Sequence, residues 1–315
     1  MSEDTSQPGW ERKVIEQLAF ESLRETRRKR RWGLFFRFLG FGYVGVLIFL
    51  VWNAQSGQRI VDGAAHTAVI SIEGAIGPQS EVKAQDTIAA LQAAFEAPGA
   101  QGVILRINSP GGSPVQAGMI NDEIRRLRGQ HPDKPVYAVV EDVCASGAYY
   151  VAVAADKIFV DKASLVGSIG VRMDGFGFTG TMEKIGVERR SITAGENKNF
   201  LDPFSPQNPA HVTFARAMLA EIHQQFIDVV RKGRGERLKE TPELYSGLVW
   251  SGERSVEMGL SDGLGSVASV ARDLTKAEKL RDYTRRENIA ERFAKRLGAE
   301  IGSSLRSSVE QLDWR

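Results

Sequence analysis

Residues 66–275 of this chain read as an α/β domain in which a mostly parallel sheet carries helices on its faces. Apolar runs rich in β-branched residues, Ala68–Ile72, Val103–Ile107 and Val136–Val140, alternate with segments of helical period, Val82–Phe95 and Val115–Arg128. This βαβαβ order calls for parallel strands joined by crossover helices. Two glycine-rich turns, Asn108–Pro114 and Val143–Gly147, follow the second and third strands. In open α/β sheets functional residues collect at the carboxyl ends of strands, so both turns are candidate sites.

The elements after the third strand are shorter. Ala148–Ala155 predicts a helix, and Lys157–Val160, Ser168–Arg172 and Val187–Thr193 predict short strands from their apolar and β-branched content. A long helix is expected from Pro209 to about Lys232. Beyond Lys276 the character changes: Ile289, Phe293, Leu297, Ile301 and Leu305 recur every fourth residue among Arg, Lys and Glu. Residues 276–315 are therefore expected to form an amphipathic helix, packed on its own domain or a neighbouring subunit, with a membrane-surface helix as the other reading.

The N-terminal part predicts a membrane anchor. The basic run Arg27–Arg31 leads into 21 residues, Trp32–Trp52, in which Arg37 is the sole charge. That length matches the ~20 residues needed to cross ~30 Å of hydrocarbon as a helix. The basic flank keeps residues 1–31 as a cytoplasmic tail and sends the rest across, with 53–65 as a linker to the domain. A cleaved signal peptide fits less well, because the polar stretch before the apolar run is long and Trp52-Asn-Ala-Gln-Ser-Gly lacks a small-x-small site. A single cysteine, Cys144, excludes an intrachain disulfide, and a net charge of +2 argues against a dedicated nucleic-acid binder.

The chemistry centres on Ser146, in Cys144-Ala-Ser-Gly-Ala-Tyr-Tyr150, and on Lys198, in Gly195-Glu-Asn-Lys-Asn-Phe200. A serine hydroxyl needs a base to become a nucleophile, and a lysine serves when its surroundings hold the amine neutral. Of the four histidines, His66, His131, His211 and His223, none lies in a motif that would set it beside Ser146. Small neighbours and a following helix N-terminus let a substrate carbonyl approach Ser146 and favour developing negative charge. In Ser109-Pro-Gly-Gly112, consecutive glycines allow amides to turn toward a ligand, so Gly112, or Gly111, and Gly147 are the candidate oxyanion donors. Ser109 and Ser113 compete as nucleophiles, although Pro110 marks Ser109 as a turn residue. Ser168 is the candidate for orienting the lysine. Cys144 reads as buried packing, and no metal or cofactor site is expected, since HExxH, CxxC and nucleotide-binding glycine patterns are absent.

Six motifs in order carry a resemblance: Arg106-Ile-Asn-Ser-Pro-Gly-Gly112, Cys144–Tyr150, Ala155-Asp-Lys-Ile-Phe159, Val166-Gly-Ser-Ile-Gly-Val171, Gly195-Glu-Asn-Lys198 and Ser251–Leu260. Over roughly His66–Gly265 the chain resembles the short form of the signal peptide peptidase A family, membrane-anchored bacterial Ser/Lys peptidases. The resemblance implies a Clp protease/crotonase-like fold, with Ser146 as nucleophile, Lys198 as general base and Ser168 positioning the lysine. It also implies a homo-oligomeric ring in which Lys198 meets Ser146 of its own chain or of its neighbour. Implied with it are a bacterial inner-membrane location with the catalytic domain on the periplasmic side, and hydrophobic peptide substrates such as spent signal peptides, with misfolded exported proteins second. Departures surround the lysine, where Glu196-Asn197 precedes it and Asn199-Phe200 follows. A crotonase-like acyl-CoA enzyme, a noncatalytic membrane scaffold and a Ser/His/Asp protease are the rival readings.

Overall fold

The computed structural model describes residues 30–46, 49 and 63–285. Residues 30–46 are helical (α1), with every side chain exposed, Trp32, Phe35, Phe38 and Phe41 among them. Among the described residues no helix is long and apolar enough to cross a membrane. Part of the expected 32–52 span, and the expected amphipathic positions from Ile289 on, lie outside the described residues, while the described start of the expected 276–315 helix is not helical: Leu280–Asp282 form a strand that pairs parallel with Thr67–Val69.

The compact unit Asp62–Glu287 holds one sheet. Its first part follows the expected alternation: β1 (His66–Glu73), α2 (Ala84–Glu96), β2 (Ala100–Ser109), α3 (Pro114–Gln130), β3 (Val136–Ala145) and α4 (Gly147–Ala152). β4 (Lys157–Val160), β5 (Leu165–Gly167), α5 (Thr179–Lys184), α6 (Pro209–Arg234), β6 (Val249–Ser251), α7 (Gly252–Glu257), β7 (Gly263–Leu264), α8 (Val267–Asp273) and β8 (Leu280–Asp282) follow. The sheet runs β6-β5-β3-β2-β1-β8, with β4 pairing β3 and β7. Every pairing is parallel except β5 with β6. This is an α/β fold with a mostly parallel mixed sheet.

The central strands are buried along nearly their whole length, as strands covered on both faces must be, which is why β1, β2 and β3 read as continuous apolar runs. α3 starts sharply because Pro114 occupies its first turn and Ser113 caps it, accepting from Gln116 N at 3.4 Å. β3 is long enough to serve two neighbours on one side. Tyr137–Val139 pair with β4, and Val143–Ala145 pair with β5. At the split, Ser164 Oγ donates to Glu141 O at 2.5 Å and holds the connection against the strand.

Two expected strands are corrected. Ser168–Arg172 is not a strand: β5 ends at Gly167, and Ser168, at φ 50°, turns the chain out of extended geometry. Val187–Thr193 has no regular structure and is exposed throughout. Strand-forming residues become a strand only where an edge offers partners, and this segment pairs with none among the described residues.

Candidate active site

Ser146 stands between the last residue of β3 and the first of α4, at φ 52° and ψ −122°. A non-glycine residue at positive φ costs of order 1–3 kcal/mol and persists only when its surroundings hold it. Those surroundings are explicit. Ser146 N donates to Gly167 O on β5 at 2.8 Å, and Tyr150 N donates to Ser146 O at 3.0 Å. Asn121, 1% exposed on α3, donates from Nδ2 to Tyr150 O at 2.6 Å and clamps the far side of that turn. Asn121 interrupts the apolar stripe Ala117, Ile120, Ile124, Leu127, a signal in the sequence that passed for an ordinary helix face.

The glycine turn after β2 lies against the serine. Gly111 has φ 92°, and a Cβ placed there would fall 2.5 Å from both Ala145 O and Gly147 N and 2.9 Å from Ser146 Cβ. Only glycine fits. The Gly112 amide nitrogen lies 3.1 Å from where a Cβ on Gly147 would sit, so the two candidate oxyanion donors are neighbours. Gly147 is the first residue of α4, and its N–H has no carbonyl within the helix to bond. Ile76 N donates to Gly111 O at 2.8 Å, while Ser113 N donates to Ile76 O at 2.8 Å. The Gly112 N–H between them is left out of this ladder and takes no protein acceptor among the described residues.

The two serines read as rival nucleophiles have structural partners. Ser113 caps α3. Ser109 is fully buried, with Oγ donating to Gly74 O at 2.6 Å and accepting from Gly111 N at 3.1 Å.

Ser168 is brought next to the site through the backbone, because it follows Gly167, the partner of Ala145 in the β3–β5 register. Its own N donates to Leu248 O at 2.7 Å. Lys198 is not brought to Ser146 by any hydrogen bond within the chain. It lies exposed in a turn at 194–200, where Lys198 N donates to Gly195 O at 3.1 Å, and its ammonium group makes no ion pair among the described residues. This turn is fastened to α6: Leu201 N donates to His211 Nδ1 at 3.4 Å, Asn197 Oδ1 and His211 Nε2 are 3.2 Å apart, and the Phe200 ring packs on His211 and Phe214.

The histidines are occupied elsewhere. His66 bonds Ala64 O and Tyr283, His131 packs on Phe95, and His211 serves the lysine turn. His223 Nε2 donates to Ile169 O at 3.1 Å, one residue past Ser168, a proximity with no signal in the sequence. None bonds Ser146.

Cys144 is fully buried, and burial pushes its thiol far up, so it stays protonated. Iodoacetamide at neutral pH is expected to leave turnover unchanged; rapid alkylation of Cys144 with loss of activity would contradict this placement. Among the described residues no His, Cys, Asp and Glu cluster could hold a metal ion.

Residues 129–281 match the model of peptidase family S49, a stretch that contains Ser146, Ser168 and Lys198. The chain carries a peptidase family S49 domain. Relatives named as peptidases agree. A signal peptide peptidase SppA of Enterococcus faecium is 28% identical over 247 residues, covering 75% of this chain and 71% of that one. Protease 4 of Haemophilus influenzae is 33% identical over 217 residues, covering 68% of this chain and 34% of its own length. The chain is also 47% identical over 186 residues to a Brucella melitensis protein named Na(+)/H(+) antiporter NhaA, covering 59% of this chain and only 25% of that protein. Most of that protein lies outside the match, and transport is not carried over. The β2 turn with Gly111 and Gly112 precedes the matched stretch, so the S49 domain as matched holds the serine and the lysine while the neighbouring strands supply the glycine turn.

Proposed function

We propose that this protein is a membrane-anchored serine endopeptidase with a Ser146/Lys198 dyad, on a Clp protease/crotonase-like fold. The observation that carries the reading is the strained Ser146 at the start of α4, beside the Gly112 and Gly147 amides, which take no protein acceptor among the described residues. A helix start and two neighbouring N–H groups suit an oxyanion rather than a resting carbonyl.

Lys198, acting as a neutral amine, removes the Ser146 proton as Oγ attacks a peptide carbonyl. The carbonyl oxygen takes the developing negative charge and is held by the Gly112 and Gly147 amides. Collapse of the tetrahedral species breaks the C–N bond, and the Lys198 ammonium gives its proton to the leaving amine. Water, deprotonated by Lys198, then attacks the ester and releases the acid with Ser146 restored.

The lysine comes from a neighbouring copy in a homo-oligomeric ring. Support lies in Lys198, exposed and without an ion pair among the described residues, and in the apolar side chains around its segment: Met173, Phe176, Ile185, Val187, Ile192 and Phe214 are all exposed. Such a run of exposed apolar surface suits an interface. In that interface Ser168, beside Ser146, orients the incoming amine. Burial by the neighbour supplies the low-dielectric setting that keeps a lysine neutral.

Residues 32–52 anchor the protein in the bacterial inner membrane with the domain on its outer side. The exposed aromatic surface of α1 and its basic flank support that placement. Apolar peptides such as spent signal peptides are the substrates, with misfolded exported proteins second. The full chain in detergent is expected to cleave an internally quenched apolar peptide faster than a charged one of equal length. Equal rates would remove the substrate assignment.

A further inference from the structure

The buried hydroxyl of Ser109 has a role that the dyad leaves open. β2 changes register against β3 between Ile107 and Ser109, so Ser109 pairs with Cys144, two residues before the nucleophile. The Ser109 Oγ–H donates to Gly74 O at 2.6 Å, and the same oxygen accepts from Gly111 N at 3.1 Å. Gly74 N in turn donates to Asn108 O at 3.0 Å, and Ile76 N to Gly111 O at 2.8 Å. One hydroxyl therefore joins the loop leaving β1 to the loop leaving β2, and does so one peptide before the one that carries the Gly112 N–H.

We infer that Ser109 is a positioning residue for the oxyanion site: its hydroxyl holds the Gly111 N–H on one side of the Gly111 Cα, while Ile76 N holds Gly111 O on the other, and together they set the direction of the Gly112 N–H in the next peptide. The inference rests on the reading of Gly112 as an oxyanion donor. Its physical basis is the asymmetry of buried hydrogen bonds. Deleting the hydroxyl leaves the buried Gly111 N without its acceptor and takes a donor from Gly74 O, and the turn relieves this by rotating. Gly111 and Gly112, at φ 92° and 149°, have the freedom to rotate that other residues lack. Movement of about 1 Å is enough to spoil an oxyanion contact, while the substrate-binding surfaces stay where they are.

The test uses the full chain in detergent and compares wild type, Ser109→Ala, Ser109→Cys and Ser146→Ala. Intact sites are counted by titration with a fluorophosphonate, and a peptide aldehyde serves as tetrahedral-state mimic. Ser109→Ala is expected to lower kcat per titrated site about 10- to 100-fold at unchanged KM, with aldehyde Ki rising by the factor that kcat/KM falls. Ser109→Cys, which keeps a weak donor and acceptor of similar size, is expected to fall between, and carries the test if the alanine variant does not fold. Turnover per titrated site equal to wild type in the variant that folds would overturn the inference, since the hydroxyl would then serve stability alone. A rise in KM with unchanged kcat would overturn it too. Persisting activity in Ser146→Ala would instead show that the underlying dyad reading has failed.

Discussion

Ser146→Ala and Lys198→Ala are each expected to lower kcat by about 1,000-fold or more, and an equimolar mixture of the two inactive proteins is expected to regain turnover after reassembly. The recovery follows from a shared site. A working centre then needs the serine of a Lys198→Ala chain beside the lysine of a Ser146→Ala chain. Random neighbours in a ring supply that pairing at about a quarter of the positions, which sets the ceiling on recovery. A dyad closed within one chain gives no recovery at any mixing ratio. Among the described residues Lys198 is exposed and bonded only through its backbone, which is the arrangement a lysine awaiting a neighbour should have.

The second large effect concerns the support beneath α4. Arg234, at the end of α6, is 1% exposed and donates from Nη1 to Asp262 Oδ2 at 2.8 Å and from Nε to Gly259 O at 2.8 Å. Asp262 also accepts from Ile158 N at 2.7 Å and from Arg237 Nη1 at 3.1 Å. Burial alone would raise the Asp262 carboxyl, but the Arg234 hydrogen bond and charge, with Ile158 N and Arg237, hold it below the usual carboxylate range. Tyr149 of α4 donates to Leu260 O at 2.7 Å, so this network and the nucleophile turn share a foundation.

Asp262→Ala leaves a buried guanidinium without its counter-charge and is expected to cost about 3–5 kcal/mol. In a domain of this size that lowers the thermal midpoint by roughly 10 °C. The pH dependence has a definite sign. A depressed carboxyl stabilises the fold above the unfolded Asp value near ~3.9, and that contribution is lost as pH falls through the lower folded value. Asp262→Asn is therefore expected to flatten the acid limb of the stability curve as well as lower it. Urea titrations between about pH 2 and 6 that show an unchanged acid limb in Asp262→Asn would remove this assignment.

What could be read in the sequence tracks how local each signal is. The long strands declare themselves because full burial demands unbroken apolar runs, and α3 because Ser113 and Pro114 cap and start it. Ser146, Gly111, Gly112 and Gly147 were legible as turns at strand ends, and the fold does gather them. β6, β7 and β8 were not, since two or three residues carry no period, and their pairing is decided by neighbours distant in sequence. Val187–Thr193 shows the converse, a strand-like composition with Ile192 fully exposed and no edge to join. The roles of Asn121 and Ser109 depend on partners 29 and 35 residues away, Tyr150 and Gly74, and spacing along the chain does not reveal such contacts.

The central claim is that Ser146 is the acylated nucleophile and Lys198 its base. Its most direct test is to treat the full chain with a fluorophosphonate and map the adduct by peptide mass spectrometry. The account predicts one adduct, on the peptide carrying Ser146, strongly slowed in Lys198→Ala and restored when that protein is reassembled with Ser146→Ala. An adduct on Ser109, Ser113 or Ser168, or labelling of Ser146 at the wild-type rate in Lys198→Ala, would contradict it.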